Sequence, residues 1–228
     1  MANGSVEPLK MLHDLWGDRI QFLEVLVHQE HPGPDAPAYN SIEQKMRDAQ
    51  RYKRIEQIPW PVLVDDLEGT VHQVYGGLAK PTYLIDANGR VAFYNLWSYA
   101  PGLHLAIQEL LAQGERGIVR GGIDRIPHLA TAFVHGWKGL ARGLPQSFTD
   151  LLVALPGVGP ALWVGYQMRP VLEPWIIRAR PLPNSVRAAF LAGVVALAFL
   201  LLRGRRKDRF AKRHRAAETK KVERERVI

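Results

Sequence analysis

The chain has 228 residues, 47% of them hydrophobic, enough for one buried core with segments to spare. It contains no cysteine, which excludes disulfides, thiolate metal sites and a thiol nucleophile within these residues. The net charge of +8 sits in residues 203–228, with 12 Lys/Arg against 4 Asp/Glu. Residues 1–202 balance at 18 against 18, so charge gives no ground for a nucleic-acid surface on the folded part.

The first predicted element is a helix. Ser5 stands as its N-cap, Glu7 and Pro8 occupy its first turn, Leu9, Leu12, Leu15 and Trp16 recur at helical spacing, and Gly17 ends it. No basic, apolar leader precedes Glu7. Ile20 to Val27 is an apolar run broken by Gln21 and Glu24, a buried strand by length. A proline-rich loop follows from His28 to Pro37. Residues 38–57 form a mostly polar amphipathic helix with Ile42, Met46, Ala49 and Tyr52 or Lys53 facing inward, stopped by Pro59-Trp60-Pro61.

Val62 to Val64 is a short strand ending at Asp65-Asp66. These two carboxylates read first as the cap of a short helix over Leu67–Tyr75 and second as an acid–base pair. Gly76-Gly77 ends that helix. Thr82–Ile85 and Val91–Tyr94 then form antiparallel strands around the turn Asp86-Ala87-Asn88-Gly89, where Gly89 can take φ > 0. Pro81, directly before a strand, has two readings: a trans proline starting an edge strand, or a cis Lys80–Pro81 bond. Gly102–Leu111 is a helix with Leu103, Ile107, Leu110 and Leu111 inward. Residues 1–112 therefore make a compact α/β layer domain, with right-handed crossovers joining its parallel strands.

Residues 113–185 are a Gly/Pro-rich connector. A helix over Ile123–Ala141 carries Ile126, Leu129, Phe133, Trp137 and Leu140 on one side, as an interfacial or partner-packed helix does. Leu151–Tyr166 has no charge in 16 residues, but Pro156, Gly157, Gly159, Pro160 and Gly165 predict a broken or re-entrant membrane segment, not a straight span. Residues 186–202 are the expected transmembrane helix, about 18 residues or ~27 Å when Arg187 and Arg203 snorkel. Residues 203–228 are a polybasic tail, expected to be cytoplasmic and to bind lipid headgroups. A hairpin of the broken segment and the 186–202 helix keeps the α/β domain cytoplasmic too.

Three stretches carry a resemblance. Trp16-Gly17-Asp18-Arg19-Ile20-Gln21-Phe22-Leu23 runs into a strand and reaches His31-Pro32. Pro59-Trp60-Pro61-Val62-Leu63-Val64-Asp65-Asp66 follows the long polar helix, and Lys80-Pro81-Thr82-Tyr83-Leu84-Ile85-Asp86 precedes Asn88-Gly89-Arg90-Val91. Over residues 5–112 the chain resembles the thioredoxin-like redoxins, most closely the iodothyronine deiodinase-related group. The resemblance implies a thioredoxin-like fold, a cis bond before Pro81, and an active-site pole formed by Glu30, His31, Lys80, Pro81 and Thr82. Glu30 stands one position away from the place such relatives give their acid.

Those relatives carry Thr-Cys-Pro or Thr-selenocysteine-Pro on a central strand ahead of the first helix. Here Met1 falls just after that place, and the strand it would close is missing. The expectation is a membrane-anchored oxidoreductase whose Cys or selenocysteine lies upstream of Met1, inactive as written, with a thiol redox partner. The alternative is a non-catalytic, membrane-tethered adaptor using the groove near Pro81. No catalytic nucleophile, cofactor or nucleic-acid partner is assigned. No metal is assigned either, since His28, Glu30 and His31 lie close together on a proline-rich loop, a poor cage. His13 and His72 are expected on helix surfaces.

Overall fold

The computed structural model describes residues 3–29, 32–33, 37–78, 80–120, 123–124, 129–189, 191–193, 195–196 and 199. It is a mixed α/β protein. In chain order come α1 (Asn3–Trp16), β1 (Glu24–Leu26), α2 (Ile42–Ile55), β2 (Val62–Val64), α3 (Thr70–Val74), β3 (Thr82–Ile85), β4 (Val91–Asn95) and α4 (Ala100–Ala112). They are followed by β5 (Ile123–Asp124), α5 (Leu129–Arg142), α6 (Gln146–Ala154), α7 (Val158–Gln167) and α8 (Arg169–Ile176). Residues 1–181 form one compact unit and 182–228 a second.

The strands make two separate sheets. β1 and β2 pair in parallel, Glu24 opposite Val62 and Leu26 opposite Val64. β4 pairs antiparallel with β3, Tyr83 opposite Tyr94, and in parallel with β5, Tyr94 opposite Ile123. Among the described strands β1, β2, β3 and β5 each keep one open hydrogen-bonding edge. The β3–β4 turn is held by its aspartate. Asp86 Oδ1 accepts from the backbone N–H of Asn88 and of Arg90, both at 2.9 Å, and Gly89 takes φ +76°. Oδ2 accepts from Gly117 N–H at 3.0 Å, and these bonds hold the carboxyl below its ordinary range.

One core cluster lies between α1 (Leu12), β3 and β4 (Leu84, Ala92, Phe93) and α4 (Leu103, Ile107, Leu110). A smaller one joins Val6, Ile58 and Trp60, with Phe22, Tyr52 and Val62 packed against it. The inward residues Leu103, Ile107 and Leu110 of α4 are those expected from its spacing.

Four expectations are corrected. Ser5 is not a cap; it lies inside α1, nearly buried, because its hydroxyl has a partner in Lys80. On α2, Met46 is exposed and Lys45 is buried to 1% exposure. The helix is turned so that Lys45 Nζ donates to the Asp66 carbonyl at 2.8 Å and lies over the Tyr39 ring, which a methionine cannot do. The helix expected from Ile123 begins at Leu129, because Ile123–Asp124 pair with β4 as a strand. The Lys80–Pro81 bond is trans; the cis X–Pro bond among the described residues is Leu144–Pro145. Lys80 bridges to Trp97 and accepts from Ser98 N–H at 3.2 Å, so the chain is extended into β3. β3 is an edge strand there, where proline costs no ladder bond.

Candidate functional site

The polar cluster nearest the expected active-site pole is built on Lys80. Its ammonium meets the Ser5 hydroxyl of the first turns of α1. Burial pushes it down to about 7, with the Glu24 carboxylate of β1 acting against the shift. Glu24 is held in turn by α2 and the loop after it: Tyr52 Oη donates to Oε1 at 3.1 Å and Trp60 Nε1 to Oε2 at 3.4 Å. Burial and that carboxylate drive the Tyr52 hydroxyl far above its ordinary range. The Ser5–Lys80 contact thus joins α1 to the start of β3, while Glu24 of β1, in the other sheet, acts on Lys80 through its charge. An amine titrating near neutrality can accept a proton as readily as donate one.

Next to Lys80, Pro81 is half-buried, and Thr82 Oγ1 hydrogen-bonds Ser98 Oγ at 2.6 Å. Opposite Thr82 in register is Asn95, fully buried. Its Nδ2 donates to the Tyr99 carbonyl at 3.3 Å, while Oδ1 has no hydrogen-bond partner among the described residues. Lys80, Pro81 and Thr82 are therefore together at one end of β3. Glu30 and His31 lie outside the described residues, so the other half of the expected pole is not placed.

The aspartate pair is a cap. Asp65, 2% exposed, accepts from Val71 N–H at 3.0 Å and His72 N–H at 2.8 Å, and Asp66 Oδ1 accepts from Thr70 N–H at 2.8 Å. Both carboxylates are spent on the start of α3, which leaves the acid–base reading without support. The histidines expected on helix surfaces are half-buried. The His13 ring lies 5.2 Å from that of Phe22, and His72 Nε2 is 2.9 Å from the Leu78 carbonyl. The His28 and His72 rings are 4.8 Å apart. No group of three or more His, Asp or Glu side chains that could hold a metal occurs among the described residues.

Nothing in the sequence analysis assigns Ser5, Glu24, Ser98 or Asn95 to the site. One signal was legible: Glu24 interrupts an apolar run, as a buried acid with partners does. Ser98 and Asn95 gave none, since their place depends on the β3–β4 register.

Among the described residues no single helix is long and apolar enough to cross a membrane, while α6 and α7 pass that test together across a bend of 118°. Residues 184–189, 191–193, 195, 196 and 199 are helical; the rest of the expected 186–202 helix and the 203–228 tail lie outside the described residues. No family model, curated protein or solved structure matches this chain.

Proposed function

We propose that this chain is the scaffold of a thioredoxin-like oxidoreductase, anchored to a membrane through residues 186–202 and the basic 203–228 segment. Its redox nucleophile, a cysteine or selenocysteine, is carried on a strand that enters between β1 and β3 from upstream of Met1. The observation that carries the reading is the division of the described strands into two separate sheets, β1–β2 and β3–β4–β5, with β1 and β3 among the four strands that keep an open edge. A strand bonded to both would join them into one sheet. Backbone donors and acceptors left on two edges are costly, and a single insertion satisfies both rows.

Lys80 adds support. Through Ser5 it touches the N-terminal turns of α1, and a helix N-terminus stabilises a thiolate. In the proposed reaction that thiolate attacks one sulfur of a substrate disulfide and forms a mixed disulfide, expelling the other sulfur as a thiolate. A thiol of the redox partner then releases the substrate sulfur, leaving a disulfide between nucleophile and partner. A second partner thiol reduces this disulfide, and the partner leaves oxidised.

The cysteine-free sequence favours a second reading, in which the open edge of β3 beside Pro81 takes an extended segment of a partner and the chain is a membrane-tethered adaptor. The reading frame ahead of Met1 separates them. An in-frame strand ending in Thr-Cys-Pro or Thr-selenocysteine-Pro, with disulfide reductase activity of the extended chain lost on Cys→Ser, supports the oxidoreductase. A stop codon immediately ahead of Met1 rules it out and leaves the adaptor.

A further inference from the structure

At the junction of α6 and α7, residues 152–157 are all exposed, and all are apolar or glycine: Leu152, Val153, Ala154, Leu155, Pro156 and Gly157. Val153 is 81% exposed. An exposed apolar run of this length is unfavourable in water unless something covers it. The exposure does not come from loose packing. A Cβ added at Gly159 would come within 2.7 Å of the Phe148 ring, one added at Gly136 within 3.1 Å of Leu162, and one at Gly165 would collide with the Phe133 carbonyl. The inner sides of α6 and α7 are thus closed on each other and on α5, and the apolar outer side is what remains.

The ends of the same segment are polar. No charged residue stands between Asp150 and Arg169. On α6, Gln146 Nε2 donates to Asp150 Oδ1 at 2.6 Å. At the far end of α7, the Arg169 guanidinium lies 4.0 Å from the centre of the Tyr166 ring and donates to the Tyr166 carbonyl at 3.0 Å. The aromatic and cationic pair at the α7 end suits a membrane–water interface. Part of the backbone at the bend is satisfied internally: Leu155 and Val158 N–H are bonded to the carbonyls of Leu151 and Leu155, and Pro156 has no N–H.

Length decides the depth. The 9 residues of α6 rise ~13 Å and the 10 of α7 ~15 Å, against a hydrocarbon core of ~30 Å. Each arm reaches at most halfway, and the 118° bend turns the second arm back. We propose that the α6–α7 elbow is a wedge seated in one leaflet of an anionic bilayer, with its tip at residues 152–157. The negative headgroups are chosen by charge: beyond Lys138 and Arg142, which pair with Glu56, residues 129–181 hold Arg169, Arg178 and Arg180 against Asp150 and Glu173, and residues 203–228 are strongly basic. The inference shares the membrane reading of the proposed function but rests on a different segment.

The absence of cysteine makes the test clean. Single-cysteine full-length variants Val153→Cys and Leu155→Cys, with Asn88→Cys in the exposed β3–β4 turn as control, are labelled with an environment-sensitive fluorophore. They are mixed with phosphatidylcholine/phosphatidylglycerol vesicles whose chains are brominated near the headgroup or near the chain ends. The expected result is a blue shift and several-fold rise at Val153→Cys and Leu155→Cys, strongest quenching by the shallow bromines, and no change at Asn88→Cys. Labels that behave like the control while the chain still floats with vesicles overturn the wedge and leave anchoring to residues 186–202. Strongest quenching at the chain ends overturns it in favour of a deeper, spanning segment. A blue shift without vesicles that grows with protein concentration assigns the patch to a second copy. Failure of the chain to float with any vesicle removes both the wedge and the proposed anchor.

Discussion

Arg142 Nη2 donates to Glu56 Oε1 at 2.7 Å across 86 residues of sequence, and Lys138 Nζ reaches the other carboxylate oxygen at 2.9 Å. Glu56 is the residue that ends α2, and its side chain is 4% exposed. This clamp fixes α5 to the α/β layers. Burial raises the Glu56 carboxyl, and the two cations more than offset it, so it lies below its ordinary value of 4.5. Glu56→Gln is expected to lower stability by about 2 kcal/mol near neutrality, since each cation keeps a route to water. The carboxylate's contribution is present in full above pH 4.5 and lost as pH falls through the lower folded value, so the variant lacks part of the acid limb of the stability profile. Urea titrations of both chains against pH measure this.

Lys80 predicts the opposite slope. Its ordinary value is 10.5 and its folded value about 7, so between these the unfolded chain holds a proton that the folded chain does not. Stability from this group therefore rises with pH across that window, at no more than about 1.4 kcal/mol per pH unit. Lys80→Met is expected to flatten the rise and to unfold at higher urea at pH 7. A profile with the same slope as the parent chain would contradict this.

His104 acts as a neutral acceptor. Trp16 Nε1 donates to its Nδ1 at 3.0 Å. Burial, and then the Arg180 charge, holds the imidazole below 6.5. As pH falls below 6.5 the unfolded chain takes up the proton first, and stability drops until the folded value is passed. An NMR titration of the ring should give a midpoint below 6.5; a midpoint above it would refute the assignment.

Asp65→Ala should open α3. The change leaves the N–H groups of Val71 and His72 without their acceptor and costs about 2 kcal/mol. Amide exchange should speed up over Thr70–Val74 while β4 and α4 stay protected. Equal protection in both chains would mean that the cap does not hold the helix.

Gly165 marks the closest approach of α7 to α5. Gly165→Ala places a methyl against the Phe133 carbonyl, and because backbone must shift, a loss of about 2 kcal/mol is expected. Gly77→Ala, a position with open space but φ +61°, should show only the smaller conformational cost of about 1 kcal/mol. Thermal unfolding of the two variants ranks them.

Much of the layer order was legible because it is local. The apolar runs at Val62–Val64 and Thr82–Ile85 fall on strands, Leu103, Ile107 and Leu110 fall on the buried face of α4, and Pro156-Gly157 breaks the apolar segment between α6 and α7. The candidate site was legible in part. Lys80, Pro81 and Thr82 are adjacent in sequence and had to be together. Ser5 and Glu24 join them only through the packing of α1 and β1.

The sequence by itself determined what the chain can use: no thiol, an even charge balance up to residue 202, an aspartate placed to cap α3, and a bend in the apolar segment. Those follow from composition and from interactions a few residues apart. Only the tertiary structure decided which sheet each strand joined, that the Lys80–Pro81 bond is trans at an edge, that Lys45 rather than Met46 turns inward, and that Glu56 meets Arg142. Each of these depends on a distant partner satisfying a buried polar group or a strand edge, and no local pattern encodes which partner arrives.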